Sequence, residues 1–181
     1  MISLLKGLVT DMDRHVLSVF VRNQYGVLAR ISSMFRRRGF NIDSLTVGET
    51  ENPEYSRMTV TFNGDDVVKN QIVRQLAKMP DVESITELEK AESVSRELVL
   101  VKIKNSKENR QDIMSVVDIF RAKVVDYGTD AMTIEITGES SKIDAFVELV
   151  KEFGIIEICR TGMVALERGS GSILNDTKKI N

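Results

Sequence analysis

Tryptophan is absent from this 181-residue chain, proline occurs twice, and histidine and cysteine occur once each. The lone cysteine, Cys159, cannot form an internal disulfide, so a reducing, cytoplasmic location is expected. Its setting in the apolar run Ile155-Ile156-Glu157-Ile158-Cys159 reads as ordinary core. With His15 as the sole histidine, a His-rich metal site is excluded, and a Cys–His nucleophilic pair has no support. There is no Walker-type loop and no G-x-G-x-x-G run. No apolar run approaches the length that spans a bilayer. Lysine and arginine total 25 against 27 acidic residues, a net charge of −2. That balance lacks the basic excess of a general nucleic-acid binder. The carboxylates fall on expected helix surfaces and turns, where solvated charge is the default. These absences together argue against an enzyme.

What is present is one pattern written twice. Residues 15–21 are rich in Val, Leu and Phe and read as a strand. Asn23-Gln24-Tyr25-Gly26 breaks it. Leu28, Ile31 and Phe35, with Met34 beside them, recur at helical spacing, and Gly39 closes that helix with the residue preferred in a left-handed cap. Residues 41–47 read as a second strand and 55–62 as a third, around a turn at Glu51-Asn52-Pro53-Glu54. Val68, Ile72, Leu76 and Met79 line a second helix, and residues 82–88 give a fourth strand. The order is β-α-β-β-α-β.

The same order returns from residue 97. Residues 97–103 form a strand, and Ile113, Val116, Val117 and Phe120 make an i, i+3, i+4, i+7 face. Residues 124–127 and 132–137 are short strands. Ser141 and Asp144 are spaced as a capping box before the face of Ile143, Phe146, Val147 and Val150. A last strand starts at Ile155 and extends toward Leu166. The expected domains are residues 15–89 and 97–168, joined by a charged linker over 89–96. Residues 1–14 form an N-terminal extension, too short and too acidic for a signal peptide. Residues 169–181, opening with Gly169-Ser170-Gly171-Ser172, read as a flexible tail.

The fold class is α+β, two tandem ferredoxin-like βαββαβ domains. Each sheet keeps one face and its edges uncovered by its own helices, so at least a homodimer is expected. Fold alone leaves several functions open. An RNA module of this fold carries aromatics on its central strands. Here Arg57-Met58-Thr59-Val60-Thr61-Phe62 offers only a terminal Phe, and Arg36-Arg37-Arg38 sits at a helix end, where cations complement the dipole.

The informative segment is Asn23-Gln24-Tyr25-Gly26-Val27-Leu28. Gly at a helix opening bares backbone N–H groups, an anion site, and removes the side chain that would block close approach. No carboxylate or basic side chain lies within those six residues. Such a site suits a zwitterion, with Val27, Leu28 and Ile42 as apolar contacts and Asn23 and Asn41 fixing orientation. A tight turn with a plain helix cap explains the same residues.

Residues 17–31, carrying that Asn-x-x-Gly loop, together with Arg38-Gly39-Phe40-Asn41-Ile42-Asp43-Ser44-Leu45-Thr46-Val47, closely resemble the small regulatory subunit of acetohydroxyacid (acetolactate) synthase. The resemblance continues through Ser56-Arg57-Met58-Thr59, residues 96–103, Ile119-Phe120-Arg121-Ala122, Lys142-Ile143-Asp144-Ala145-Phe146 and Arg160-Thr161-Gly162. It implies that the first domain is an ACT domain, the amino-acid-sensing version of this fold. It implies a catalytic large subunit that holds thiamine diphosphate, Mg²⁺ and FAD, with no cofactor in this chain. It implies activation of that partner and feedback inhibition, usually by valine, in branched-chain amino-acid biosynthesis. The implied effector site lies between two ACT domains, with Asn23, Gly26, Val27 and Leu28 of one chain facing Asn41 and Ile42 of the other. Neither nucleic acid nor membrane is implied as a partner. An ACT sensor serving a different enzyme or a transcriptional system is the first alternative, and an RNA-binding module the second. In the second repeat the matching loop, Lys104-Asn105-Ser106-Lys107-Glu108-Asn109, has no Gly and is rich in charge, so it is not expected to bind an effector in the same way.

Overall fold

The computed structural model describes residues 13–173. The chain divides into two compact units. Among the described residues, the first comprises 13–94 together with 165–173, and the second is Ser95–Val164. The extension expected over residues 1–14 lies almost wholly outside the described residues.

In the first unit, β1 (Asp13–Arg22) leads to α1 (Val27–Arg38), β2 (Ser44–Glu49), β3 (Tyr55–Gly64), α2 (Asp66–Ala77) and β4 (Val82–Glu87). The antiparallel sheet has the order β2-β3-β1-β4. Alternation along β1 sends Leu17, Val19 and Val21 toward the helices, where all three are buried. They meet Val27, Ile31, Met34 and Phe35 of α1, which recur at i, i+4, i+7 and i+8, and Ile72, Val73 and Leu76 of α2. Phe40 meets Phe35 edge-on at 6.5 Å between centroids. Gly39 ends α1 at φ 70 and sends its N–H to Arg36 O.

His15 is a buried member of this core. Its Nε2 lies 3.1 Å from Gly64 O and its Nδ1 3.0 Å from Glu87 Oε1, so both ring nitrogens face acceptors. Lys69 Nζ ties Glu87 (3.1 Å) to Asp66 (2.8 Å). The hydrogen bond from Lys69 holds the Asp66 carboxyl below its ordinary range. The sole histidine thus has a structural role.

The second unit repeats the order with β5 (Ser93–Lys104), α3 (Arg110–Phe120), β6 (Lys123–Tyr127), β7 (Ala131–Gly138), α4 (Ser140–Val150) and β8 (Ile155–Arg160), whose strands run β6-β7-β5-β8. A final strand, β9 (Val164–Glu167), pairs with β5. Val99, Val101 and Ile103 pack on Ile113 and Val117 of α3 and on Ile143, Phe146 and Val150 of α4. The α+β class and both βαββαβ repeats stand as expected.

Four local expectations change. The linker over residues 89–96 is half strand, because β5 opens at Ser93, whose hydroxyl donates to Glu89 O at 2.7 Å. The capping box at Ser141 and Asp144 does not form: Glu139 is the N-cap of α4 and no side chain caps the helix. Cys159 is exposed, since β8 is an edge strand whose residues after Ile155 are open to solvent. Residues 169–173 are not a free tail. Ile173 is buried, and its carbonyl accepts the Ser84 hydroxyl at 3.0 Å. The remainder of that expected tail lies outside the described residues.

The two helix starts differ in a measurable way. Asp65 caps α2 by accepting from the Val68 N–H at 2.8 Å. Asp65→Ala is expected to lower stability by about 1 kcal/mol. Ser141→Ala is expected to stay within about 0.5 kcal/mol of the wild type. Urea unfolding of the two variants checks both values.

Candidate effector site at the first strand-to-helix junction

β1 ends at Arg22, and the chain must turn before α1 begins at Val27. The turn is pinned from below. Asn23 N–H donates to Glu54 O at 2.7 Å, and Asn23 Nδ2 donates to Pro53 O at 3.0 Å. Both acceptors lie in the turn between β2 and β3. Gln24 N–H returns to Arg22 O, and Val27 N–H reaches Gln24 O at 3.3 Å. Gly26 then takes φ 82 as the N-cap of α1. That left-handed conformation is where a side chain is strained and glycine is not.

No side chain caps α1, and its first turn holds no acidic residue. The amides of Leu28 and Ala29 have no carbonyl within the helix to accept them, because a helix cannot satisfy its own first turn. Positive partial charge therefore collects at this point. Arg30 adds to it. Its Nε and Nη2 engage Asp81 Oδ2 at 2.9 and 2.8 Å. Its Nη1 stands 3.1 Å from where a Cβ on Gly26 would be. Arg22 pairs with Glu83 at 2.8 Å, and this hydrogen bond raises its pKa further above the ordinary arginine value. The junction presents bare amides beside a guanidinium whose nearer nitrogen is not used by Asp81.

The six residues singled out in the sequence divide into two groups. Asn23, Gly26, Val27 and Leu28 come together at the junction. Asn23 keeps its Oδ1 available, Leu28 is exposed, and Val27 contributes only backbone, since its side chain is core. Asn41 and Ile42 lie elsewhere, past the far end of α1. A 12-residue helix spans about 18 Å. The sheet register gives the same separation: Arg22 opposes Tyr55, whereas Ser44 opposes Thr61 six residues along β3. At that far end Asn41 Nδ2 donates to Asp43 Oδ1 at 3.1 Å, and Asn63 Nδ2 donates to Asp43 Oδ2 at 2.6 Å. Ile42 packs against the core.

Arg30, Asp81 and Asp43 were not singled out in the sequence. Arg30 stands four residues after Gly26, one helical turn, and that spacing was a usable signal. The pairing of Arg30 with Asp81, 51 positions away, was not.

The second repeat shows what a closed junction looks like. Asn105 is buried; its Nδ2 donates to Gly128 O at 2.6 Å and its Oδ1 accepts from Arg110 at 3.3 Å. Asn109 Oδ1 accepts from Ser106 N–H at 2.8 Å. Asp112 occupies the first turn of α3. The polar groups satisfy one another, and a carboxylate already complements the helix end. Among the described residues no group of three or more His, Cys, Asp or Glu side chains could hold a metal ion, and no helix is long and apolar enough to cross a membrane.

Two family models match this architecture. Residues 17–84 match the ACT domain of the acetohydroxyacid synthase small-subunit type, and residues 96–169 match the small subunit of acetolactate synthase. The chain belongs to the acetolactate synthase small-subunit family. It is 48% identical to a probable acetolactate synthase small subunit of Methanothermobacter thermautotrophicus, over 88% of this chain and 96% of that one. It is 46% identical to an acetolactate synthase small subunit of Mycolicibacterium smegmatis, over 88% and 94%. The crystal structure of the acetolactate synthase small subunit from Thermotoga maritima superposes with a TM-score of 0.81 at 39% identity, covering 88% of this chain and 100% of that one. As a member of the acetolactate synthase small-subunit family, the chain has a regulatory role. All six candidate residues fall inside the matched ACT domain.

Gly26→Ala places a Cβ at φ 82, which costs about 1–2 kcal/mol. Thermal unfolding is expected to show that loss, and a Gly48→Ala control, where a Cβ meets open space, is expected to show a smaller one.

Proposed function

We propose that this chain is the regulatory subunit of an acetolactate synthase, and that it binds valine between the ACT domains of a homodimer. It raises the activity of a separate catalytic large subunit, which carries thiamine diphosphate, Mg²⁺ and FAD, and it confers feedback inhibition on branched-chain amino-acid biosynthesis. The observation that carries this reading is the junction at Gly26: bare first-turn amides, no cap, no acidic residue, and Arg30 beside them. A carboxylate is the ligand group that complements it. Asp43 and Asn41 supply the opposite character at the other end of α1 and suit an ammonium. One protomer holds these two ends about 18 Å apart, so a molecule the size of valine touches both only across two chains.

β2 is the edge strand of the first sheet among the described residues, and a second copy adds along it. Its exposed Val47 is one apolar contact for that seam. Valine then favours one arrangement of the dimer, and inhibition follows if the catalytic subunit is activated by the other, because a ligand shifts an equilibrium only by its difference in affinity. A coupling of about 1–3 kcal/mol is enough.

A binding role for the helix-free face of the first sheet in RNA recognition is disfavoured. Phe20, on central strand β1, is buried and stacked on Tyr55 at 4.6 Å, so its face is not free for a base.

Gly26→Asp sets a carboxylate against the anion site. Calorimetry with valine is expected to show affinity lowered by at least about tenfold, with valine inhibition of the reconstituted synthase lost in parallel. Unchanged valine affinity in that variant removes the site. Copurification tests the partner: a thiamine-type synthase subunit is expected to accompany the tagged chain, and its absence from a host that makes one contradicts the assignment.

A further inference from the structure

The helix-free face of the first sheet is not bare. The chain returns to it after the second unit. Arg168 N–H donates to Glu92 O at 2.8 Å, and Ser84 holds Ile173 O at 3.0 Å. Residues 165–173 therefore lie across this face as a strap, within the first unit. Beneath the strap is a cavity of about 290 Å³.

Its lining is chemically unusual for a strap merely covering a sheet. Ser18, on central strand β1, is 2% exposed, and its hydroxyl has no hydrogen-bond partner. A buried orphan hydroxyl costs about 1–3 kcal/mol, so such groups are normally satisfied. Arg57 of β3 and Glu51 line the same cavity, and among the described residues neither makes an ion pair. One cation and two carboxylates, Glu51 and Glu167, thus line one small cavity, and among the described residues no ion pair joins Arg57 to either. Leu88, Leu166 and Ile173 give the apolar wall.

We propose that this cavity binds a second small zwitterion, a free amino acid with an aliphatic side chain, at a site separate from the Gly26 junction. The carboxylate sits on the Arg57 guanidinium and takes the Ser18 hydroxyl as donor. The ammonium faces Glu51. The side chain lies on Leu88 and Leu166 beneath Ile173. The volume is at the small end for ligand sites, which suits a metabolite of amino-acid size. Because Ile173 and Ser84 close the strap over the ligand, occupancy ties the C-terminal segment more firmly to the first domain. The inference does not rest on valine binding at Gly26, and either site can fail alone.

The test uses the full-length chain carrying Gly26→Asp, which silences the junction, with the methyl resonances of isoleucine observed by NMR. L-valine, L-leucine and L-isoleucine are titrated separately at millimolar concentrations. At least one of them is expected to shift the Ile173 methyl saturably. Adding Arg57→Gln is expected to weaken that binding by at least about tenfold, and Arg57→Lys to restore part of it. Glu51→Gln, on an exposed turn, is expected to weaken it in the same direction. No shift at Ile173 with any of the three amino acids overturns the proposal. So does a shift that Arg57→Gln leaves unchanged. Should Arg57→Gln lose spectral dispersion, Glu51→Gln decides by the same criterion.

Discussion

The length of α1 is the constraint on which the rest depends. The helix separates the two polar ends of the ACT domain by about 18 Å, and the β1–β3 and β2–β3 registers fix that distance independently. An amino acid cannot bridge this span within one chain. The helix that sets Gly26 at one end and Asn41 at the other therefore makes any joint site a property of two chains. A ligand that sits between chains can change how they are arranged, and this gives a small non-catalytic subunit a means of regulation.

The electrostatics follow the same geometry. At the Gly26 end the backbone supplies positive character, and Arg30 reinforces it while Asp81 holds only part of its fork. At the Asn41 end, Asp43 stands between Asn41 and Asn63 with a carboxylate that neither amide neutralises. The dipolar character of α1 and that of a zwitterion are thus complementary across a pair of antiparallel copies. The second repeat keeps the fold but spends its Asn side chains internally. Duplication of the fold has not meant duplication of the open junction.

Most of the architecture was legible in the sequence because it rests on periodicity. Val27, Ile31, Met34 and Phe35 mark one helix face, and Leu17, Val19 and Val21 one sheet face, regardless of distant context. Gly39 was readable as a left-handed cap and takes φ 70. The features that escaped depend on contacts far apart in the chain. Cys159 looked like core because its neighbours are apolar, yet β8 is an edge, and edge position is set by topology. Ser141 and Asp144 have the spacing of a capping box, but the N-cap is Glu139, which places them two positions too far into the helix. Gly169-Ser170-Gly171-Ser172 reads as flexible by composition, while Ile173 just beyond it is buried by a surface that only the folded sheet provides. Of the candidate site, the backbone signal at Gly26 was visible, Arg30 one helical turn later was a usable signal that went unread, and the placements of Asp81 beside Arg30 and of Asp43 beside Asn41 and Asn63 depend on the fold.

The two-chain nature of the site is open to a direct test by subunit mixing. One chain carries Gly26→Asp and the other Asn41→Ala, and each alone forms dimers with both seams broken. Random exchange makes half of the dimers mixed, and each mixed dimer has one seam with wild-type Gly26 facing wild-type Asn41. The account predicts that valine binding, absent from either variant, returns in the mixture at about a quarter of all sites. A mixture that binds no more valine than its two components would contradict it.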